Sequence, residues 1–345
     1  DGFSFNESFT HAALSRILTY LADQGLPTTP AATLREALDI ELPPGALHSY
    51  LPTTPDNLLP FYANLSAQPH SLQKLLTVQL EHLAFNNLSA SLHPRERARL
   101  RSICSKGASA WLSYLPSHDW HYSKMPDSAT TAACRLRLGL PHSFVLKNTC
   151  FCGTRISGPD ADPYHFFSCT RLRRRQVTHR HDNVKHLLCA LFNRFGAPCA
   201  AEPEALNDEV RSRPDLFTHL PATGQHLFVD VTVISSTSPS ALSDNRDLAT
   251  CLRYAANRKT SKYRDFTAAH GPDAAVFSPF ALDSFGALHD SATRVLRIIR
   301  GAAVRNSCIR VSEASMLSAL LHSAISSRLQ QGNSWILDAG LLRAS

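Results

Sequence analysis

The chain has 345 residues, with 35 Lys and Arg against 28 Asp and Glu, a net charge of +7 and an isoelectric point near 9.0. The length suits two domains, or one large domain with an appendage, and an apolar fraction of 43% suffices for a real core. The basic balance points to a polyanionic partner, whereas the lack of any run of about 18 apolar residues argues against a transmembrane helix and nine irregularly spaced cysteines argue against a secreted disulfide scaffold.

The sequence opens Asp1-Gly2-Phe3, with neither an initiator Met nor a signal peptide, and reads as a piece of a longer polypeptide. Residues 1–120 read as helical. Helical periodicity runs from Phe9 to Gln24 with Gly25 as a C-cap, and Thr29-Pro30 starts a second helix reaching Asp39. Leu72, Leu75, Leu76, Leu80 and Leu83 form an apolar stripe, and a basic helix is expected from Pro94 to Leu115. No catalytic motif stands out here, and a helical platform is the expected role.

Cys150-Phe-Cys152-Gly153 followed by His165-Phe-Phe-Ser-Cys169 gives the spacing C-x-C-x₁₂-H-x₃-C. Two close ligands on a turn, a short loop and two more ligands one helical turn apart assemble a closed tetrahedral zinc site. Gly153 permits the turn, and Pro163 is expected to start the helix presenting His165 and Cys169. Four protein ligands make such a zinc structural. The other cysteines (Cys104, Cys134, Cys189, Cys199, Cys251 and Cys308) read as ordinary thiols.

Next come Arg171, Arg173, Arg174 and Arg175, then Arg180 and His181, opening a helix of about 24 residues whose apolar positions are Val177, Val184, Leu187, Leu188, Leu191, Phe192 and Phe195, with Gly196 at its end. A basic helix entrance beside a zinc knuckle suits contact with phosphate backbone; the competing reading is a solvated charged face.

The next segment, Arg213-Pro214-Asp215, leads to a turn-like stretch, 220–225, and then to His226-Leu-Phe-Val-Asp230-Val-Thr-Val-Ile234. Leu227, Val229, Val231 and Val233 alternate with Phe228, Asp230 and Thr232, which predicts a half-buried strand with Asp230 on its less apolar face. A hairpin symmetric about residues 222 and 223 pairs positions summing to 445, and 215 and 230 do so. Like charges facing each other on an antiparallel pair repel, so a divalent cation such as Mg²⁺ between them would remove the conflict. The alternative is two unrelated surface aspartates. Glu202 and Glu204 are candidates for an outer carboxylate, with exposed loop acids as the competing reading. Further on, a helix over 247–267 carries Lys259, Lys262 and Tyr263, with Lys259 and Tyr263 one turn apart. A short strand at 274–277 and helices at 289–304 and 312–329 follow. Helix, strand, strand, helix, strand, helix predicts an α/β layer arrangement with a mixed sheet.

Taken together, Arg135-Leu-Arg-Leu-Gly-Leu-Pro141, the Cys150/Cys152/His165/Cys169 knuckle, Arg180-His181, Arg213-Pro-Asp215, Asp230-Val-Thr-Val233 and the Lys259–Tyr263 segment resemble the carboxy-terminal region of site-specific non-LTR retrotransposon proteins. The resemblance is good over residues 130–285. It implies a helical linker over 1–125, a CCHC knuckle over 126–175 and a restriction-like endonuclease of the PD-(D/E)xK fold over 176–345. It further implies an enzyme that nicks double-stranded target DNA with Mg²⁺ or Mn²⁺, exposing a 3′-hydroxyl for reverse transcription. Asp215 and Asp230 would be the metal-binding carboxylates. The usual nuclease lysine, two residues after the second acid, is replaced by Thr232, which leaves Lys259 or Lys262 as the lysine. Element RNA would engage through the full-length protein, whose polymerase part would lie N-terminal to this chain, and access to chromosomal DNA would place it in the nucleus. The runner-up is a binding module whose knuckle and basic helix grip nucleic acid while the acid pair is vestigial; a third reading is a cellular repair nuclease of the same fold.

Overall fold

The computed structural model describes residues 84–113, 120–140, 149–150, 152–158, 161–203, 213–220, 223–244, 246–269 and 275–342. The chain divides into a unit Asp1–Ser91 and a unit Leu92–Ser345. In the first, residues 84–91 are helical. The expected helices at 9–24 and 30–39, the leucine stripe and Glu204 lie outside the described residues.

The second unit is mixed α/β, with a four-stranded mixed sheet flanked by helices. Helix α1, Pro94–Ile103, begins at His93, whose ring nitrogen accepts from the Arg95 N–H, and Pro94 loses nothing there because that N–H has no helical partner. The helix expected to reach Leu115 stops at Ile103, and a 3₁₀ turn, Ala110–Leu112, lies beyond it. Helix α2, Asp127–Leu138, ends on left-handed Gly139. Arg99 of α1 donates to the carbonyls of Leu136 and Arg137 at that end, joining the two helices.

Helix α3, Thr178–Arg194, continues from a π-helical turn at Arg173–Val177, and Gly196 at φ 73° follows its end, so the long helix falls close to its expected span. Strands β1 (Cys199–Ala201), β2 (Leu216–Leu220), β3 (Gln225–Ile234) and β4 (Ala275–Asp283) lie in that order across the sheet. The first three are antiparallel, and β4 joins β3 in parallel. The connection between them carries α4 (Pro239–Ser243), α5 (Leu248–Lys262) and α6 (Arg264–Ala269), followed after β4 by α7 (Asp290–Arg305) and α8 (Ala314–Leu342). The short β1 had no sequence signal, and the single helix expected over 247–267 breaks at Tyr263.

Both faces of the sheet are covered. Leu216, Leu227, Val229 and Val231 pack with Val184, Leu188 and Leu191 of α3, Val295 and Ile299 of α7, and Leu321 and Ile325 of α8. On the opposite face Phe228 packs with Tyr263 and Phe266. The expectation of a half-buried β3 is therefore corrected: from Leu227 to Val231 the strand is buried on both sides. Parallel pairing needs a long crossover, and its helices cover the second face.

Arg180 corrects a second expectation. Assigned by sequence to nucleic-acid contact, it is only 1% exposed. One guanidinium nitrogen donates to Ser284 Oγ (3.1 Å) and Asn333 Oδ1 (3.0 Å), and the group stands 5.6 Å over the Phe167 ring. Burial pulls its pKa down to about 10, offset by the charge of Asp283. Asp283 accepts from Ser102 Oγ and from the Ser236 and Phe285 N–H groups. Removing one member of such a buried charge network leaves the rest uncompensated, at a cost of about 3 kcal/mol or more. Arg180→Ala is expected to lower stability by that amount in urea unfolding; an unchanged midpoint would return Arg180 to the surface.

Candidate active site and metal centre

The knuckle residues converge. The potential ligand atoms of Cys150, Cys152, His165 and Cys169 all lie within 4.8 Å of one another, and Cys150, His165 and Cys169 are buried. Cys150 Sγ is 3.8 Å from Cys169 Sγ, and Cys152 Sγ is 2.9 Å from His165 Nε2. The first pair sits on a tight turn in which the Cys150 N–H donates to the Thr154 carbonyl and the Gly153 N–H to the Cys150 carbonyl, with Gly153 at φ 94°. Of the second pair, His165 opens a 3₁₀ turn, His165–Phe167, and Cys169 follows two residues beyond it, so the α-helix expected to present both is not formed. Three sulfurs and an imidazole at this spacing match the donor set of a structural zinc site, so the cluster can bind a metal such as zinc.

The cluster is seated on the rest of the unit. Tyr164 and Phe167 both meet the Phe285 ring edge-on, at 5.3 and 5.8 Å between centroids. The Tyr164 hydroxyl donates to Glu96 (2.6 Å), and Arg95 pairs with buried Asp162 (3.4 Å). Between the knuckle and α5 lies a cavity of about 360 Å³ whose lining includes Cys169, Val233, Ser235, Arg246, Tyr254 and Arg258. There the Arg246 guanidinium stands 4.7 Å over the ring of exposed Tyr254.

A second polar cluster lies at the end of the hairpin. The register of β2 and β3 pairs Leu216 with Val229 and Phe217 with Phe228, sums of 445, so Asp215 immediately precedes the paired residues and its carboxylate feels the charge of Lys259, the partner of Asp230. Asp215 Oδ2 accepts from the Val231 N–H at 2.7 Å and lies 3.0 Å from His181 Nε2. Asp230, 3% exposed, pairs through Oδ1 with Lys259 and accepts at Oδ2 from the Tyr263 hydroxyl at 2.5 Å. Tyr263 is fully buried, stacked on Phe277 at 4.7 Å, and its hydroxyl is also 2.5 Å from the Arg213 carbonyl. A phenol has one proton, so it serves these two acceptors in turn.

The charges are balanced within the cluster. Burial raises the Asp215 pKa, but the His181 hydrogen bond and charge, the Val231 N–H and the Lys259 charge outweigh it and hold the carboxyl ionised below its ordinary range. Burial lowers the His181 pKa, and Asp215 and Asp182 outweigh that and raise it. The Tyr263 phenol is pushed well above its ordinary value by burial and by Asp230, so it stays protonated. Lys262, an exposed residue, donates to the Tyr263 hydroxyl at 3.2 Å, whereas Lys259 is the lysine that meets a carboxylate.

Two assignments are revised by position. His181, grouped by sequence with the nucleic-acid contacts, points at Asp215 instead. Glu202 at φ 48° pairs with Lys185, which is only 2% exposed and also bonds Asp182 at 3.0 Å; the Glu202 N–H donates to the Asp215 carbonyl. Lys185 carried no assignment, although it is i+4 from His181 and hence on the same helix face. Arg171 and Arg175 are exposed.

No family model and no curated protein matches the chain. Among the described residues no helix is long and apolar enough to cross a membrane.

The knuckle yields a direct expectation. The purified chain should hold one zinc per molecule, and Cys169→Ser should lose most of it and lower the melting temperature. Equal zinc content in parent and variant would contradict the ligand set.

Proposed function

We propose that the chain is the restriction-like, PD-(D/E)xK-type endonuclease segment of a non-LTR retrotransposon protein, cutting one strand of double-stranded DNA with Mg²⁺ or Mn²⁺. The observation that carries this reading is the meeting of Asp230 with Lys259, whose charge also reaches the Asp215 carboxylate just before the neighbouring strand. Two ionisable carboxylates and the adjacent Val231 carbonyl are hard oxygen donors of the kind Mg²⁺ and Mn²⁺ take. Asp215 is held ionised, as a ligand must be. A bound divalent ion would polarise the scissile phosphate and acidify a water bound to it.

The protein groups have separate tasks. Lys259 offsets charge on the phosphate as it is attacked and orients the attacking water. Tyr263 fixes the Asp230 carboxylate by its hydroxyl and, being buried, holds the α5 end against β3. Exposed Arg171 and Arg175, together with the Arg246, Tyr254 and Arg258 cavity beside the knuckle, supply positive charge and an aromatic face for the DNA backbone. Element RNA and the polymerase belong to the full-length protein, and chromosomal DNA as target implies work in the nucleus.

One observation favours the rival reading of a binding module with a decayed site. Both oxygens of Asp230 are already engaged, by Lys259 and Tyr263, so that carboxylate is satisfied without an ion. Salt-sensitive DNA binding is common to both readings; cleavage separates them.

On supercoiled DNA, Asp230→Ala is expected to abolish metal-dependent nicking while DNA binding is kept or strengthened. Lys259→Ala should slow nicking about a hundredfold or more, and Lys262→Ala should change it little. Nicking that survives in Asp230→Ala, or that depends on Lys262 and not Lys259, would overturn this site.

A further inference from the structure

We propose that His181 is a protein ligand of the divalent ion, through Nε2, making the site a mixed nitrogen and oxygen site rather than an all-oxygen one. This rests on the nuclease reading but adds a ligand and a metal preference to it. His181 Nε2 lies 3.0 Å from Asp215 Oδ2 and 3.0 Å from the Val231 carbonyl oxygen. Two ligands at right angles, each about 2.1 Å from one ion, are about 3.0 Å apart. The imidazole nitrogen therefore already keeps the edge length of an octahedral site from both oxygens. Each of those oxygens is an acceptor, and the proton on Nε2 fills the space between until a metal ion replaces it.

The opposite side of the ring supports the same assignment. Nδ1 lies 3.2 Å from Asp182 Oδ1, and Asp182 is bonded by Lys185, itself buried and paired with Glu202. A metal-bound histidine commonly donates its second ring N–H to a carboxylate, which fixes the tautomer and the ring plane. The chain Lys185, Asp182, His181, Asp215 is such an arrangement, in which Lys185 lies one turn beyond both Asp182 and His181 on the same helix and His181 reaches across to Asp215 before the hairpin. An imidazole ligand shifts preference towards Mn²⁺ and Co²⁺ and away from Mg²⁺ and Ca²⁺.

The test uses the full chain with zinc retained in the knuckle, titrated with Mn²⁺ alone and then in competition with Mg²⁺. Pulsed electron paramagnetic resonance of the bound Mn²⁺ reads ¹⁴N coupling directly. The expected result is a ¹⁴N signal in the parent that is lost in His181→Ala and in His181→Gln, the second keeping a polar side chain in place. Mn²⁺ affinity should fall at least about tenfold in both variants, with Mg²⁺ affinity falling less. Asp182→Asn should weaken Mn²⁺ about tenfold while keeping the ¹⁴N signal. Mn²⁺ bound by the parent without a His181-dependent ¹⁴N signal, yet lost in Asp215→Ala, would overturn this inference and leave the carboxylate site standing. No Mn²⁺ bound by the parent would overturn both.

Discussion

Two aspartates set near each other by the β2–β3 register, one of them almost fully buried, repel unless positive charge lies beside them. In this fold each has its own partner from a different helix. Asp230 takes Lys259 from the helix that crosses over between β3 and β4, and Asp215 takes His181 from the long helix on the other face. The sheet is therefore clamped from both sides at the hairpin end. The register that brings the acids together, the crossover that delivers Lys259 and the start of α3 that delivers His181 all have to be right at once.

The remainder of the second unit holds those three elements in place. Burial of β3 on both faces removes any freedom for the hairpin to slip, since a one-residue shift would turn Asp230 into the apolar layer of Leu227, Val229 and Val231. The start of α3 is fixed by Arg180, whose guanidinium is tied to Ser284 and Asn333, and by the Cys150/Cys152/His165/Cys169 cluster leading into it, whose neighbours Tyr164 and Phe167 rest on Phe285. A zinc ion in the knuckle would thus act at a distance, by setting where the first turn of α3 begins. The knuckle also borders the Arg246, Tyr254 and Arg258 cavity, so one element contributes to both positioning and the basic surface.

How much was legible in the sequence follows from the type of signal. The hairpin register was readable because turn residues and alternation fix it arithmetically, and the Lys259 to Tyr263 spacing was readable because a helix repeats. The knuckle was readable from ligand spacing alone. Arg180 was misread because its charge outweighed its position; it lies three residues after Val177 and four before Val184, on the apolar stripe, and that periodicity points it inward. His181, adjacent in sequence, faces about a hundred degrees away around the helix axis, so the two had to have different partners. Strand β1 has three residues and no alternation of its own; only the sheet edge defines it. The break at Tyr263 depends on the ring being drawn into Phe277 and Phe266, a tertiary effect without a local signal.

The most direct test of the clamped acid pair as a nuclease centre is nicking of supercoiled plasmid by the purified zinc-loaded chain, with Mg²⁺ or Mn²⁺ and with chelator, beside Asp215→Ala. Nicking that needs the divalent ion and disappears in the variant is the expected result. Tight DNA binding without cleavage under any of these metals would contradict it, and would leave the acids, Lys259 and His181 as a charge-balanced structural clamp in a nucleic-acid-binding module.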